Sequence, residues 1–105
     1  MKTPLLDLAL LQTLTAVNQS GTLARAAERV GRTQSAVSLQ MQRLEEAVGL
    51  PLFDRQGRAL VINEAGRSMV AYAERMLALN AEAVAYVRGH SVAGSVRFGI
   101  SVDFE

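Results

Sequence analysis

Apolar residues recur at helical spacing three times before the pattern changes. Leu5, Leu8, Ala9, Leu11, Leu14 and Val17 stand mostly three or four apart, which puts them on one face of a helix. Thr3-Pro4 predicts its start, a hydroxyl N-cap followed by Pro at the first helical position. Ser20-Gly21 predicts its end. Leu23, Ala26, Ala27 and Val30 form the stripe of a short second helix, capped by Thr22 and ended by Gly31, because Gly enters the left-handed conformation at little cost. Thr33 caps a third helix whose inner face is Val37, Met41, Leu44 and Val48, with Gly49 and then Pro51 as its stop.

The period then shifts from helical to alternating. Leu52-Phe53-Asp54-Arg55, Gln56-Gly57-Arg58 and Ala59-Leu60-Val61-Ile62 read as a short hairpin around a Gly turn. Asn63 can cap a further helix. From Glu64 to about Arg88 there is no Pro, and the single early Gly is Gly66, so the pattern predicts one helix roughly 37 Å long at ~1.5 Å per residue. Gly89 to Gly94 is a linker by composition, and Val96, Phe98, Ile100 and Val102 alternate as in a strand. The division this predicts is a head over 1–62, a long helix over 63–88, a hinge over 89–94 and a first strand of something further over 95–105.

Composition narrows the picture without settling it. Of 105 residues, 50% are hydrophobic and 5% aromatic, so the core is aliphatic and suits helices. The net charge of +1 does not announce a nucleic-acid partner, so any basic patch must be local. With no Cys there are no disulfides, thiolate metal sites or Cys nucleophile, which fits a cytoplasmic location. Asp7 interrupts the apolar N-terminus and no small-residue cleavage site is present beyond it, so no signal peptide is expected. No apolar run approaches the ~18 residues of a membrane span.

The informative constellation is the pair of helices joined through Gly31. Ala26 and Ala27 let two axes approach closely, as in a helix-turn-helix, and Val37 fills the junction. On spacing alone any small helical bundle would serve as well. The outer face of the third helix separates the two readings. It carries Gln34, Ser35, Ser38, Leu39 and Gln42, with Arg32 and Arg43 at the flanks, and from Arg29 to Gln42 the chain has no acidic residue. Solvated helix faces usually carry Glu and Lys pairs. A face of amides and hydroxyls instead donates and accepts at short reach, as base edges in a major groove require. Arg55 and Arg58 around the hairpin turn place two cations beside that helix, suited to a phosphate backbone or a minor groove.

These residues, in this order, resemble the LysR-type transcriptional regulators. The resemblance runs from Leu8 to Gly66. It is carried by Leu11-x-x-Leu14-x-x-Val17, Gly21-Thr22-Leu23-x-x-Ala26-Ala27, Thr33-Gln34-Ser35-Ala36-Val37-Ser38, Leu44-Glu45-x-x-Val48-Gly49, Leu52-Phe53-x-Arg55 and Ala65-Gly66. The stretch from Arg32 to Glu45 is similar to the LrhA/HexA-like branch. The fold implied is mainly α: a winged helix-turn-helix of three helices plus a short β-hairpin wing, followed by a long dimerisation helix. The function implied is sequence-specific binding of double-stranded DNA, at an inverted-repeat operator, by a dimer or a higher oligomer such as a tetramer. The recognition helix, 34–48, would lie in the major groove. Gln34, Ser35, Ser38 and Leu39 would face bases, while Thr22, Arg32, Thr33, Gln42, Arg43, Arg55 and Arg58 would touch backbone. Also implied is a C-terminal effector domain like a periplasmic binding protein, whose first strand Val96-Arg97-Phe98-Gly99-Ile100 resembles. A small-molecule effector would belong to that domain, and no cofactor is expected here. The chain departs from the family pattern at Leu14, where Phe is usual, at Thr22 for Ser, at Arg32 for an apolar residue and at Asn63 for Thr. Leu39 stands where relatives often have a polar residue, so only apolar contacts, such as with a thymine methyl, are open to it.

Ala65, Met69, Tyr72, Met76, Leu79, Ala83 and Tyr86 repeat at alternating spacings of four and three, a heptad seam. Met69, Tyr72, Met76, Leu79, Ala83 and Tyr86 are therefore the expected dimer contacts, with Met76 and Leu79 central. Part of the stripe must also pack on the first helix of its own head. His90 has no partner ligand in sequence, Glu45 reads as an anchor near the hairpin, and no nucleophile–base pair, metal cluster or phosphate loop points to an enzyme. The competing reading is a coiled-coil interaction or adaptor module that does not bind DNA.

Overall fold

A computed structural model describes residues 2–56 and 59–93. Four helices and one hairpin run in the order α1 (Leu8–Ser20), α2 (Leu23–Val30), α3 (Gln34–Val48), β1 (Phe53–Gln56), β2 (Ala59–Ile62) and α4 (Glu64–Ala93). This is the winged helix-turn-helix arrangement with a long C-terminal helix that the sequence predicts. The expected strand over 95–102 lies outside the described residues, as do Gly57 and Arg58 of the turn.

α1 is the centre of the head and packs against α2, α3 and α4. Leu11 and Leu14 are fully buried and meet Ala26 of α2, Val37 and Leu44 of α3 and Ala73 of α4 in one cluster. The small Ala26 and Ala27 are both buried, so α2 can lie close to its neighbours. One polar side chain is buried with them: Thr13 Oγ1 lies 2.8 Å from the Gln40 carboxamide of α3 and 3.2 Å from the Ala9 carbonyl. The Thr13 hydroxyl has one proton to donate, and both the Gln40 Oε1 and the Ala9 carbonyl oxygen lie within its reach, the Gln40 oxygen being the nearer. That bridge fixes α3 against α1 with a directional bond where apolar packing alone could slide.

Helix α1 begins later than its apolar spacing suggests. Asp7, rather than Thr3, is the N-cap, and its carboxylate accepts from Ala9 N at 2.8 Å. Leu5 is 97% exposed. Starting the helix at Pro4 would therefore order several residues with little burial in return, and backbone order costs about 1–2 kcal/mol per residue. The remaining boundaries obey local chemistry. Thr22 Oγ1 accepts from Arg25 N and Thr33 Oγ1 from Ala36 N, each at 3.1 Å. Gly31 and Gly49 end α2 and α3 at positive φ.

The hairpin is held at its base. β1 and β2 pair antiparallel with Phe53 opposite Ile62 and Arg55 opposite Leu60. The Glu45 carboxylate, on the last turn of α3, accepts from Leu52 N at 2.7 Å and Phe53 N at 3.3 Å. The Leu52 carbonyl accepts from Asn63 N at 3.0 Å. Asn63 caps α4 by accepting from Gly66 N at 2.8 Å and also donates to the Pro51 carbonyl at 3.0 Å. Its carboxamide therefore ties the segment before β1 to the helix after β2. Gly66 is confined by the same contacts: a Cβ there would run into the Leu52 carbonyl oxygen and stand 2.5 Å from Ile62 Cγ1.

α4 is longer than expected. It runs through Gly89 to Ala93, where composition suggests a linker from 89. One Gly costs a helix interior about 1 kcal/mol, too little to halt a helix already propagating from both sides. At ~1.5 Å per residue α4 is about 45 Å long. Val70 and Ala73 are buried in the head, with Ala65, Met69, Met76 and Leu77 half-buried against it. Every residue from Ala78 to Gly89 is exposed.

Candidate nucleic-acid interface

The turn between α2 and α3 is three residues, Gly31 to Thr33. Gly31 N donates to the Glu28 carbonyl at 3.3 Å and Arg32 N to the Ala27 carbonyl at 2.9 Å, which satisfies the end of α2 and redirects the chain. Thr33 is extended at φ −76°, ψ 160° and opens α3. The N–H groups of Gln34 and Ser35, in the first turn, have no intrahelical acceptor. The whole turn is exposed. An anion placed there would meet free donors, the positive end of a helix and the Arg32 side chain.

Gln34, Ser35, Leu39 and Gln42 are exposed and Ser38 is half-buried, on the face opposite Val37, Met41 and Leu44. Together with Leu23 from the first turn of α2 they line one open groove. None of the polar side chains among them hydrogen-bonds to another described residue, so their donors and acceptors face solvent. Thr22 and Thr33 are already engaged as caps. Each hydroxyl accepts an N–H and keeps its own proton, so capping leaves it able to donate to a phosphate oxygen.

The cations fall into two groups. Arg32 and Arg43, on α3 and its approach, and Arg55, on β1, are exposed, and their side chains make no hydrogen bond among the described residues. Arg29 instead donates to Gln19 Oε1 at 2.7 Å and is turned toward α1. Arg58 lies outside the described residues. Arg55 comes after the C-terminal end of α3, whereas Arg32 precedes its N-terminus. The two are separated along the chain by a helix of 15 residues, about 22 Å at ~1.5 Å per residue.

The seam on α4 is divided by the head. Met69 and Met76 are half-buried against their own core. Tyr72 (55% exposed), Leu79 (63%), Ala83 and Tyr86 lie open, and Val84 and Val87 widen the open part. Arg75 rests over the Tyr72 ring, 5.4 Å from its centroid. Met76, expected at the centre of the pairing surface, thus belongs partly to the head, and the open apolar face is centred further along, on Leu79 and Ala83.

Three residues position this surface in ways that local sequence does not show. Gln40 bridges to Thr13 and so sets how α3 sits on α1. The capping role of Asn63 is legible in sequence, but its tether to Pro51 is not. Gly66 belongs to a recognisable motif, but its place as the point where hairpin and α4 touch appears only in the fold. Gln40 alone left a usable signal: it stands three after Val37, so it turns toward the inner face. Among the described residues there is no cluster of three or more His, Cys, Asp or Glu side chains placed to hold a metal. No described helix is long and apolar enough to cross a membrane.

Residues 8–67 match the family model for bacterial regulatory helix-turn-helix proteins, lysR family. Among curated relatives, the chain is 42% identical over 99 residues to the HTH-type transcriptional regulator DgdR of Burkholderia cepacia, covering 94% of this chain and 34% of that protein. It is 46% identical over 98 residues to the HTH-type transcriptional regulator PecT of Dickeya dadantii, covering 93% and 31%. The chain thus spans about a third of the length of these relatives. Among solved structures it is similar to the crystal structure of a CbnR_DBD–DNA complex, with TM-score 0.77, 29% identity and coverage of 82% of this chain and 99% of that one. It is also similar to a BenM_DBD/benA site 1 DNA complex, with TM-score 0.77, 25% identity and coverage of 87% and 100%.

Proposed function

The chain belongs to the lysR family of bacterial regulatory helix-turn-helix proteins, and from that premise we propose that it reads duplex DNA by sequence as part of a cytoplasmic transcription regulator. α3 enters the major groove with Gln34, Ser35, Ser38 and Leu39 toward the bases. Thr22, Thr33, Arg32, Gln42 and Arg43 meet the flanking backbone. Arg55 and Arg58 reach the adjacent backbone or minor groove. The observation that carries this reading is the outer face of α3: amides and hydroxyls without internal partners, on a stretch free of acids from Arg29 to Gln42. Bidentate amide contacts to adenine and short hydroxyl contacts are what such a face can make. That similar chains have been crystallised in complex with DNA supports the DNA-binding part of this reading.

Two copies pair through the open part of α4, so that two α3 helices meet two halves of an inverted repeat. A tetramer of the longer protein and a small-molecule effector acting on a further domain complete the proposal. An adaptor without DNA binding would give no reason to exclude acids from the α3 face. Gel shifts at two salt concentrations, with a duplex selected from random DNA and with random duplex, test the reading. A steep loss of affinity with salt together with preference for the selected duplex is expected. Salt-insensitive binding, or none, would refute it.

A further inference from the structure

The open groove beside α3 carries two apolar side chains among its polar ones. Leu23 and Leu39 line it together with Gln34, Ser35, Ser38 and Gln42. Leu23 is packed against the core, on the turn that Thr22 caps, so its position is set before anything binds. Leu39 is 46% exposed and shares its face with Ser35, four residues earlier, and Gln42, three later. A single exposed Leu is ordinary. Here it stands in the same recess as a fixed Leu, ringed by hydroxyls and amides, so any group entering beside them finds an apolar notch suited to a methyl. The edge of a duplex offers one apolar group in the major groove, the 5-methyl of a pyrimidine.

We propose that Leu39 and Leu23 form a methyl-reading notch that selects a 5-methylpyrimidine at one position of each half-site. The inference rests on the DNA-reading role proposed above and adds to it what that position must carry. Its chemistry is shared by thymine and 5-methylcytosine. A polar residue at 39 would hydrogen-bond to a base edge, whereas Leu can gain only by covering apolar surface.

The test uses duplexes selected from random DNA by this chain, remade with each thymine singly replaced by uracil, which removes the methyl alone. Binding should fall about fourfold at one thymine per half-site, the fold-change for burying one methyl group. Leu39→Ala should bind thymine and uracil alike there, and Leu39→Gln should do the same while keeping the side chain's bulk. Circular dichroism should show both variants folded, because residue 39 is not in the core. At the same position, 5-methylcytosine should bind better than cytosine by a similar factor. Loss with uracil but no gain with 5-methylcytosine restricts the occupant to thymine and still supports the notch. If uracil is tolerated at every position while the selected duplex still outcompetes random DNA, the notch is overturned and DNA reading stands. If Leu39→Ala keeps the full preference for thymine, another residue reads the methyl and the inference is wrong. If no duplex outcompetes random DNA, the underlying reading fails as well.

Discussion

Two exposed surfaces among the described residues are opposite in kind. The outer face of α3 shows amides and hydroxyls, while α4 beyond the head shows Leu79, Ala83, Val84 and Val87. Water satisfies the first surface, so α3 gains from a partner only when that partner presents donors and acceptors in matching positions. Water does not satisfy the second, where each Å² of apolar area covered is worth about 25 cal/mol whatever its detailed shape. On the proposed reading the α4 face would therefore drive association and the α3 face would discriminate. The exposed cations at Arg32, Arg43 and Arg55 are suited to a third kind of contact, long in range and blind to sequence.

The largest effect should come from breaking association. Leu79→Glu with Ala83→Glu places two charges on the open face of α4 without touching the head. Sedimentation should show a monomer, and affinity for a two-half-site duplex should fall about 100-fold or more, because the second contact is no longer linked to the first. Affinity for a single half-site should not change. If the double variant still sediments as a dimer, the apolar face of α4 is not the pairing surface. Met76→Glu is the contrasting substitution, since Met76 packs against its own head and its loss should appear as lowered thermal stability.

Gly66→Ala tests the joint between the two regions. Its Cβ would meet a carbonyl already held by Asn63 N, so neither side can move freely. Denaturant unfolding should show a loss of about 1–3 kcal/mol, the usual scale of overpacking. Unchanged stability would mean that the hairpin base shifts without cost.

Gln34→Ala sharpens the discriminating side. On the selected duplex it should cost about 1–3 kcal/mol, and on random DNA much less, with no change in oligomeric state. Equal losses on both would move Gln34 from the base-reading set to the backbone set. The smallest expected effect is that of Arg55→Ala. It should weaken binding to all sequences alike and lower the slope of log affinity against log salt by roughly one unit. An unchanged slope would remove Arg55 from the backbone contacts.

What the sequence determined by itself is what acts over one helical turn. Thr22 and Thr33 cap, and Gly31 and Gly49 end helices, because each choice depends on a side chain or a φ angle within four residues. The inward stripes of α2 and α3 and the exposed set Gln34, Ser35, Ser38, Leu39 and Gln42 come from the same short-range geometry. The family resemblance added the ordering of these pieces. Tertiary structure decided where competing local signals were nearly equal. Thr3-Pro4 suggested the start of α1, yet the helix opens at Asp7, because Leu5 finds nothing to pack on. Gly89 suggested a stop, yet α4 continued, since one Gly is a small penalty against propagation. The heptad pattern gives Met69, Met76 and Leu79 the same character. Only the position of α1 and the rest of the head divides them into core and open surface. Periodicity names which side of a helix is apolar, but which surface covers it depends on residues distant in the chain. The Glu45 anchor was legible as a role near the hairpin, but the Thr13–Gln40 bridge and the contact of Gly66 with Leu52 join residues 14 or more apart, and no local spacing rule reaches that far.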